Sequence, residues 1–420
     1  GNLQEVSMPV RDPGGIYSVS DSPPLVPVER WARVGDFLPT SPQQVKSYLK
    51  HKGYKIPKHR KTKLETADKE ALEAIARKHP EEKVVPLILH GRHISKASGY
   101  LSDNMVGSDG RIHPLYTFLP KTGRLSSKRP NLMKLPTGRG AGIMEKAAEA
   151  VRGTLIPSDG YIFGEFDWKA IEALLVGYFA QDPDYMRVAK LGVHAYVASH
   201  GIGKPADLTK SDAEILEYFA WIKKHEPDAY AKFKKANHSN NYGQGILNMS
   251  KDLGLSVAET KKIVAIIDAA SPKVTAWKKE TRLRAHAEGA LTNPFGYLLH
   301  FFEVFRRGYN GQWELGREAS EALAFLPQST GAGMLRETLL LLAAHPRHGV
   351  DFQLLIPTHD SVTFEMKRVC ANEIMLLVQS IMERKWPELG GLSVEAEGSW
   401  GYTLEKKRLA LWSNGAALPS

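Results

Sequence analysis

The feature that most constrains the fold is a pair of short apolar runs near the C-terminus, at residues 352–356 and 362–366, which flank the segment Pro-Thr-His-Asp-Ser. Two apolar runs separated by so few polar residues predict a β-hairpin. A further strand is predicted at 161–166, where an apolar run precedes residues with helical spacing. Helical patterns dominate residues 212–285. The chain is therefore predicted to have an α+β fold, in which long helices accompany a sheet that contains these strands.

An aspartate follows two of the predicted strands. Asp167 comes directly after the strand at 161–166, and Asp360 lies at the tip of the hairpin. Each has a structural explanation, because Asp is favoured in turns and at helix N-caps, here ahead of a helix beginning at Trp168. Side chains at strand ends also project from the rim of a sheet, and two carboxylates that meet there would hold two Mg²⁺ ions about 3.5–4 Å apart. The pair is therefore a candidate metal site.

The segment from Tyr230 to Gly243 contains a polar helical stripe. Tyr230, Lys234, His238 and Tyr242 are spaced by four residues, which puts them on one face of a helix. This face is not apolar, and the opposite face is also largely polar. The helix is therefore expected to be exposed to solvent or to contact a polar ligand. A cation followed by two rings would suit a triphosphate and a stacked base; the alternative is an exposed charged helix that ends at Gly243.

The charge and the cysteine content restrict the class of protein. A formal net charge of +10 favours a polyanionic partner, because Lys and Arg displace counterions from phosphates. A basic soluble protein without such a partner has the same composition. Cys370 is the only cysteine, which excludes an intramolecular disulfide and a cysteine-based zinc site and fits a reducing compartment. No apolar run is long enough to span a bilayer and the first residues lack a signal-peptide pattern, so no membrane association is expected.

The N-terminal part is predicted to be irregular up to about residue 35, since prolines recur there with little periodicity. A helix is predicted from Pro42, with Ser41 as its N-cap, and a second helix is predicted at 67–77. Between them lies a run rich in Lys and Arg at residues 50–63. Such a run is either a solvated face or a contact for a phosphate backbone.

Four motifs, in order along the chain, resemble those of family A DNA polymerases. Residues 122–136, Thr-Gly-Arg-Leu-Ser-Ser-Lys-Arg-Pro-Asn-Leu-Met-Lys-Leu-Pro, closely resemble a signature of that family. Asp-Trp-Lys-Ala-Ile-Glu at 167–172 resembles its first catalytic motif, Asp-Tyr-Ser-x-Ile-Glu. His-Asp-Ser at 359–361 resembles its His-Asp-Glu motif. The helix at 230–243 lies between these two motifs, where the family has its nucleotide-binding fingers helix.

The resemblance, which extends from about residue 37 to residue 400, implies a role for each matching residue. Asp167 and Asp360 would be the catalytic, metal-binding aspartates. Glu172 would crowd C2′ of the sugar and so exclude a ribose 2′-hydroxyl. Lys234 would bind the triphosphate and donate a proton to the departing pyrophosphate, and Tyr242 would stack near the templating base.

Other matching residues would complete the nucleotide and DNA sites. His194, in Gly-Val-His-Ala-Tyr-Val-Ala, resembles a histidine that contacts the incoming phosphates. Gln328 lies in Leu-Pro-Gln-Ser-Thr-Gly, which resembles the family's Pro-x-Gln-Gly-Thr segment. Arg124 would reach the minor groove at the primer terminus, where correct base pairs present similar acceptors. The residues expected to contact primer–template DNA are Arg124, Ser126, Asn131, Gln328 and His359.

Three positions depart from the family's pattern. Tyr230 stands where the fingers helix usually has an arginine that contacts the triphosphate, so either Lys232 or Lys235 replaces that arginine or nucleotide binding is weaker. His238 replaces the aromatic residue that packs on the deoxyribose. Ser361 replaces a glutamate, which leaves one acidic group fewer beside the metals. Tyr230 and His238 are still expected at the nucleotide site, and activity is expected to survive because both aspartates remain.

The resemblance implies a right-hand polymerase with an antiparallel palm sheet, helical fingers and a helical thumb. Its expected cofactor is Mg²⁺, as two ions that Mn²⁺ can replace, and its expected partners are primer–template DNA and dNTPs. We expect a monomer in the cytoplasm of a bacterial or phage-infected cell, associated with the nucleoid and with replication proteins. The lead-in is too short for a proofreading domain, so either the chain does not proofread or it is cut from a longer protein; the expectation is that this chain has no 3′–5′ exonuclease activity. The expected divisions are a lead-in at 1–35, the thumb at 36–120, a first palm segment at 121–190, the fingers at 191–310 and a second palm segment at 311–420.

Two other interpretations stay open. A single-subunit RNA polymerase shares the palm and can carry His-Asp-Ser, although Glu172 and the Thr-Gly-Arg-Leu-Ser-Ser segment disfavour it. A catalytically silent DNA-binding relative is suggested by Tyr230, His238 and Ser361, although Lys234 and both aspartates are retained. The resemblance as a whole implies a template-directed DNA polymerase that adds deoxynucleotides to a primer 3′-hydroxyl by two-metal nucleotidyl transfer.

Overall fold

The computed structural model describes residues 3–8, 28–33, 37–59, 62–101, 106–135, 143–406 and 408–413. Contacts divide the chain into two units, one formed by residues 1–100 and 138–147 and the other by residues 101–137 and 148–420. Among the described residues, the first unit has one buried hydrophobic cluster and the second unit has two.

The first unit combines a two-stranded antiparallel sheet with helices. Its elements, in chain order, are strands β1 (Leu3–Met8) and β2 (Val28–Arg33) and helices α1 (Pro42–His51), α2 (Lys69–Lys78) and α3 (Val84–Ser98). The helices pack around a buried cluster that includes Leu49, Leu72 and Ile88. These side chains leave water together, which is the main source of stability for helices of this length.

The lead-in is not irregular throughout, because β1 and β2 form a paired ladder within it. The pairing joins two six-residue segments that are distant along the chain, and neither segment is long enough for its own periodicity to reveal it. The predicted start of α1 is confirmed, since Ser41 Oγ accepts a hydrogen bond from Gln44 N–H at 3.4 Å. The next helix begins later than predicted, because Asp68 Oδ1 caps it by accepting from Ala71 N–H at 2.8 Å.

The remaining elements belong to the second unit, except that residues 143–147 of helix α4 are assigned to the first. They are strands β3 (Leu115–Thr117) and β4 (Ser126–Lys128), helix α4 (Ile143–Gly153), strand β5 (Tyr161–Trp168), and helices α5 (Ile171–Phe179), α6 (Pro183–Leu191), α7 (Val193–Gly201), α8 (Asp212–His225), α9 (Pro227–Asn241), α10 (Ile246–Leu253), α11 (Val257–Ala270) and α12 (Pro272–Glu288). These are followed by strands β6 (Ala290–Thr292), β7 (Leu298–His300), β8 (Phe305–Arg307) and β9 (Trp313–Leu315), helix α13 (Ala319–Ala344), strands β10 (Phe352–Thr358) and β11 (Ser361–Lys367), helix α14 (Ala371–Met382), and strands β12 (Ala396–Gly401) and β13 (Ala410–Leu411).

A five-stranded antiparallel sheet organises one part of the second unit. Its order is β10-β11-β5-β12-β13, so β5 is the middle strand and is hydrogen-bonded on both sides. β10 and β11 form the hairpin predicted from the sequence, and the predicted strand at 161–166 is confirmed but extends to Trp168. Helix α14 packs against β5, β11 and β12. Phe166, Phe364 and Met375 belong to one buried cluster there, and the predicted α+β fold is confirmed.

Helices α6 to α12 surround a separate buried cluster, whose members include Phe219, Phe233 and Trp277. Helix α9 contacts α7, α8, α10 and α11. Ser211 and Ser256 begin α8 and α11 with capping boxes, in which the serine hydroxyl and a glutamate satisfy free N–H groups. The predicted dominance of helix over 212–285 is confirmed. In the described part of the chain, no helix combines the length and the apolar character that crossing a membrane requires.

The contact between α7 and α9 depends on Gly201. A Cβ atom built at Gly201 would lie 1.9 Å from Cε2 and 2.1 Å from Cζ of Phe233. We therefore expect Gly201→Ala to lower the free energy of unfolding by about 1–3 kcal/mol through overpacking. Urea unfolding measures the effect, with Gly245→Ala as the control, because a Cβ at Gly245 meets nothing within 4 Å. Equal unfolding midpoints for the two variants would contradict this account of the contact.

Candidate active site

Asp167 and Asp360 lie at adjacent positions on the rim of the five-stranded sheet. Asp167 pairs across the strands with Ser361, the residue after Asp360, and the main-chain N–H of Trp168 donates to the Asp360 carbonyl at 3.1 Å. Asp360 occupies the turn between β10 and β11. The two aspartates come together because β5 pairs directly with β11.

Asp167 is not a helix N-cap, so that structural explanation is wrong. β5 continues through Trp168, the Lys169 N–H donates to the Glu395 carbonyl at 2.9 Å, and α5 begins only at Ile171. Ala170 precedes α5 with φ 48° and ψ 32°, a left-handed conformation that turns the chain from the strand into the helix. Pairing on both sides extends β5 beyond its apolar run, which local spacing does not reveal. The Asp167 carboxylate is therefore not used in capping α5.

Negative charge accumulates at this rim. Although Asp167 is accessible to solvent, surrounding protein atoms restrict its hydration. This desolvation, followed by the charges of Asp360 and Glu165, raises the pKa of Asp167 to about 7. Desolvation and the charge of Glu172 also raise the pKa of Asp360. Within the described ranges, neither aspartate forms an ion pair with Lys or Arg, because the nearby basic groups pair with other carboxylates.

Two carboxylates without a basic partner suit a bound divalent cation. Carboxylate oxygens are the ligands that Mg²⁺ prefers, and Mg²⁺ commonly takes one or two of them together with water and substrate phosphate oxygens. The described residues contain no group of three or more His, Cys, Asp or Glu side chains that could hold a metal ion. Asp167 and Asp360 therefore fit a site that a phosphate-bearing substrate completes, rather than a closed structural site.

Two further acidic residues flank Asp167, and sequence reasoning missed both. Glu397 on β12 pairs with Asp167 across the strands, and Glu165 precedes Asp167 by two residues on the same face of β5. Lys406 Nζ lies 2.7 Å from Oε1 and 2.8 Å from Oε2 of Glu165, which neutralises that carboxylate. The exposed Glu397 stands on the opposite side of Asp167 from Ser361 and also raises the pKa of Asp167. Only the pairing of β12 with β5 brings Glu397 here, so no local motif signals it.

Arg124, Glu172 and His359 lie together beside Asp360. The Arg124 guanidinium donates to the Glu172 carboxylate. Burial and then the charge of Arg124 lower the pKa of His359, while Glu172 opposes this shift. The charge of Arg124 also counters the rise in the pKa of Asp360. Residues from three motifs that are distant in sequence therefore meet at the rim.

The predicted polar stripe is present on α9. Lys234 Nζ lies 5.9 Å from the centre of the Tyr230 ring. The rings of His238 and Tyr242 meet edge to face, with their centroids 4.8 Å apart. Lys234 and His238 are exposed, Tyr230 and Tyr242 are half-buried, and Tyr242 is the C-cap of α9. The stripe therefore presents a cation and aromatic rings along one line.

The opposite face of α9 is more apolar than predicted. Phe233 and Ala236 are buried together with Asn237, and Phe233 packs against Gly201 of α7. Two apolar residues three positions apart do not form a recognisable apolar stripe in the sequence. They are nevertheless enough for packing here, because α7 has a glycine, Gly201, at the contact with Phe233. Helix α9 is therefore a packed element with one face left for a ligand, not a helix exposed on all sides.

His194, from α7, lies beside α9, where the charges of Lys234 and His238 of the stripe act on it. Its Nδ1 lies 3.5 Å from Nδ2 of Asn237. Burial, followed by the charges of Lys234, His238 and Lys223, lowers the pKa of His194 to about 4. The imidazole is therefore neutral at neutral pH, and its ring nitrogens act as one hydrogen-bond donor and one acceptor.

Lys223, from α8, is a second cation beside the stripe that sequence reasoning missed. Its Nζ lies 5.9 Å from the centre of the Tyr230 ring. Of the two replacements considered for the missing arginine, Lys235 donates to a main-chain carbonyl of α10, and Lys232 is exposed. Tyr230 is instead flanked by Lys223 and Lys234. Because Lys223 belongs to another helix, no spacing within α9 reveals it.

The remaining residues predicted to contact DNA lie in separate elements. Ser126 is in β4, and Asn131 accepts a hydrogen bond from Ser127 Oγ at 2.9 Å. Gln328 is half-buried in α13. One turn later, α13 packs against α5 at Gly331, where a Cβ atom would lie 3.8 and 3.9 Å from side chains of α5. Across the described residues, no hydrogen bond or ion pair joins the rim residues to the α9 stripe. The roles of Ser126, Asn131 and Gln328 in binding DNA stay predictions.

Comparison with known proteins gives a consistent set of relatives. Residues 28–403 match the family described as DNA polymerase family A. DNA polymerase I of Helicobacter pylori is 26% identical over 353 residues, which cover 83% of this chain and 36% of that protein. The thermostable DNA polymerase I of Thermus caldophilus is 25% identical over 353 residues, which cover 81% of this chain and 38% of that protein. This chain therefore spans little more than a third of the length of these curated relatives.

A solved structure shows the same fold. The POL domain of Pol1 from M. smegmatis, in complex with DNA primer-template and dNTP, matches with a TM-score of 0.70 and 23% sequence identity. The match covers 88% of this chain and 61% of that chain. The mixture of helices with an antiparallel sheet fits a right-hand polymerase, as predicted from the resemblance.

Proposed function

Because this chain belongs to DNA polymerase family A, we propose that it is a template-directed DNA polymerase, which adds deoxynucleotides to the 3′-hydroxyl of a primer. The observation that carries this proposal is the position of Asp167 and Asp360, which are adjacent on the sheet rim and lack a basic partner among the described residues. Such a pair would hold divalent cations, which would supply charge neutralisation to a reaction at phosphate groups.

The chemistry proposed for the rim is nucleotidyl transfer. Asp167 and Asp360 would hold two Mg²⁺ ions, which Mn²⁺ can replace; when bound, the ions lower the pKa of the attacking hydroxyl and neutralise charge on the leaving phosphate. The protein aligns the primer 3′-hydroxyl with the α-phosphate, so that the new O–P bond forms in line with the bond to pyrophosphate that breaks. Glu397 would supply a negative charge beside Asp167. Ser361, which stands where the family has a glutamate, does not supply one.

The α9 stripe is proposed to bind the incoming dNTP. Lys234 would contact the triphosphate and donate a proton to the leaving pyrophosphate. Lys223 would provide a second cation, in place of the arginine that the family usually has at the position of Tyr230. His194, which is neutral, would contact the phosphates as a hydrogen-bond donor and not as a cation. Tyr242 would stack near the templating base.

The sugar would be bound by residues of the α9 stripe and of the sheet rim, and the DNA by residues from several elements. His238 is proposed to face the deoxyribose, and Glu172 to exclude the 2′-hydroxyl.

The proposed subdomains are a thumb at 36–120, palm segments at 121–190 and 311–420, and fingers at 191–310. We also infer a monomer that works on DNA together with replication proteins. The proposed contacts to primer–template DNA are Arg124, Ser126, Asn131, Gln328 and His359.

Glu172 gives a test of sugar selection. We expect Glu172→Ala to raise the efficiency of ribonucleotide incorporation relative to deoxyribonucleotide incorporation by about 10–100-fold, because it removes the bulk at C2′. Glu172→Gln is the matched control, since it keeps the size and removes only the charge. The ratio of kcat/KM for dATP to that for ATP measures the effect. The same ratio in the wild type and Glu172→Ala would exclude the proposed role, and a wild type that prefers ATP would favour the RNA polymerase interpretation.

Primer extension tests the proposed function directly. The purified chain is incubated with a primed DNA template, dNTPs and Mg²⁺, and products are resolved by length. Extension that follows the template sequence supports the proposal. DNA binding without extension, in Mg²⁺ and in Mn²⁺, would instead favour the catalytically silent relative. A parallel reaction with a mismatched primer and no dNTPs tests the expectation that the chain does not shorten its primer.

A further inference from the structure

A cavity among the helices carries an excess of positive charge that the proposed chemistry does not use. It has a volume of about 350 Å³ and is lined by residues of α9, α11 and α12, with β8 and β9 at one side. Its charged lining residues are Lys278, Lys279 and Arg282 from α12 and Asp268 from α11. Three cations therefore face one carboxylate.

Lys278 is buried without a partner. It is only 7% exposed, yet its ammonium forms no hydrogen bond or ion pair within the part of the chain that the structure describes. Asp268 lines the same cavity but forms no ion pair with Lys278 among the described residues; its Oδ1 accepts hydrogen bonds from Asn240 Nδ2 at 3.0 Å and Thr275 Oγ1 at 3.2 Å. Desolvation lowers the pKa of Lys278 to about 8, Asp268 opposes this shift and Arg282 adds to it, so the group is still mostly charged at neutral pH. A buried charge of this kind calls for an anion.

The cavity adjoins the residue that would stack on the template. Asn240 lines the cavity and precedes Tyr242 by two residues. A Cβ atom built at Gly243 would lie 2.7 Å from Nη2 of Arg282. Arg282 Nε also donates to the Ala319 carbonyl at 3.3 Å, which orients the guanidinium. A nucleic-acid strand with a base on Tyr242 would therefore pass its next phosphate close to this cavity.

We propose that Lys278, Lys279 and Arg282 form a binding site for a phosphate group. Phosphate oxygens would accept charge-assisted hydrogen bonds from these ammonium and guanidinium groups and give Lys278 the partner it lacks. The phosphate comes either from a phosphodiester of the single-stranded template ahead of Tyr242, which rests on the proposed polymerase function, or from a free phosphate anion, which does not.

The test compares Lys278→Met with Lys273→Met in the full chain. Lys273 is exposed on the same helix and does not line the cavity, so its replacement removes one charge without touching the site. Binding of inorganic phosphate is measured by calorimetry without metal. Binding of two primed DNA duplexes, one with a long single-stranded template extension and one blunt, is measured by fluorescence anisotropy at several salt concentrations.

We expect Lys278→Met to abolish phosphate binding and to weaken binding of the extended template about 5–10-fold at low salt. The slope of log K against log salt should fall by about 0.7 for one lost single-strand phosphate contact. Blunt DNA should bind as it does to the wild type. Loss of phosphate binding with equal affinity for both DNAs would support the site with a free anion as its ligand. If Lys278→Met behaves as Lys273→Met with phosphate and with both DNAs, the proposed site does not exist.

Folding and polymerase activity are separable from this result. Lys278→Met removes a buried charge at nearly constant length, so its melting temperature should not fall below that of the wild type. If it does not fold, Arg282→Gln repeats the test at another cation of the cavity. Wild-type extension with unchanged binding in Lys278→Met overturns the phosphate site alone. Absent wild-type extension with phosphate binding that depends on Lys278 overturns the polymerase proposal alone.

Discussion

Asp360→Asn is expected to abolish template-dependent primer extension, with kcat reduced by about 1,000-fold or more. Asparagine keeps the shape of the side chain but lacks the charge that holds a cation, and a bound cation contributes several kcal/mol of charge stabilisation to phosphoryl transfer, at about 1.4 kcal/mol per tenfold in rate. Single-turnover extension at saturating dNTP and Mg²⁺ measures the loss.

Asp159→Asn is the matched control for this variant, because Asp159 is exposed just before the other end of β5. It should extend primers as the wild type does. The metal-free Asp360→Asn protein should melt at a temperature no lower than the wild type, since the substitution relieves repulsion between carboxylates that raises the pKa of Asp167. Wild-type extension by Asp360→Asn would mean that this carboxylate holds no catalytic cation.

Lys234→Met is expected to lower kcat/KM for dNTP by about 100–1,000-fold, the range seen when a donor to developing charge is removed. Lys234 is exposed on the α9 stripe, where it would meet the triphosphate. Lys232→Met is the control, because a residue two positions away on a helix points to a different face. Steady-state kinetics on a primed template measures both variants.

The distribution of the Lys234→Met effect between constants identifies its role. A rise in KM with little change in kcat indicates that Lys234 mainly binds the triphosphate. A fall in kcat, with a change in the pH profile, indicates that it also donates the proton. If Lys232→Met is impaired and Lys234→Met is not, then the stripe binds something other than the nucleotide.

The elements around the sheet rim could be predicted because their signals are local. The hairpin at Asp360 has two apolar runs close together in sequence, and the strand before Asp167 is a short, mostly apolar run, Tyr-Ile-Phe-Gly-Glu-Phe. The stripe of Tyr230, Lys234, His238 and Tyr242 follows from the helical repeat alone. In each case the residues that define the element lie within one short segment.

What could not be predicted depends on which segments meet. Glu397 reaches Asp167 only through the pairing of β12 with β5, and Lys223 reaches Tyr230 from a separate helix. The residues around Asp167 are also compatible with a helix cap, because the pairing on both sides of β5 does not show in the sequence of that strand. Lys278 has no distinguishing sequence signal, since a sequence does not show that a lysine is buried. Composition identified the excess charge but not the cavity that concentrates it.

The two aspartates are held by backbones with unequal constraint. Asp167 lies on the middle strand, paired on both sides, whereas Asp360 lies in a turn that is tied to β5 by the hydrogen bond from the Trp168 N–H. The hydrogen of that amide exchanges with solvent water only when the turn separates from the rim. The exchange rate of the Trp168 amide therefore reports how often Asp360 moves away from Asp167. A divalent cation held by both carboxylates would lower this exchange rate even without a nucleotide.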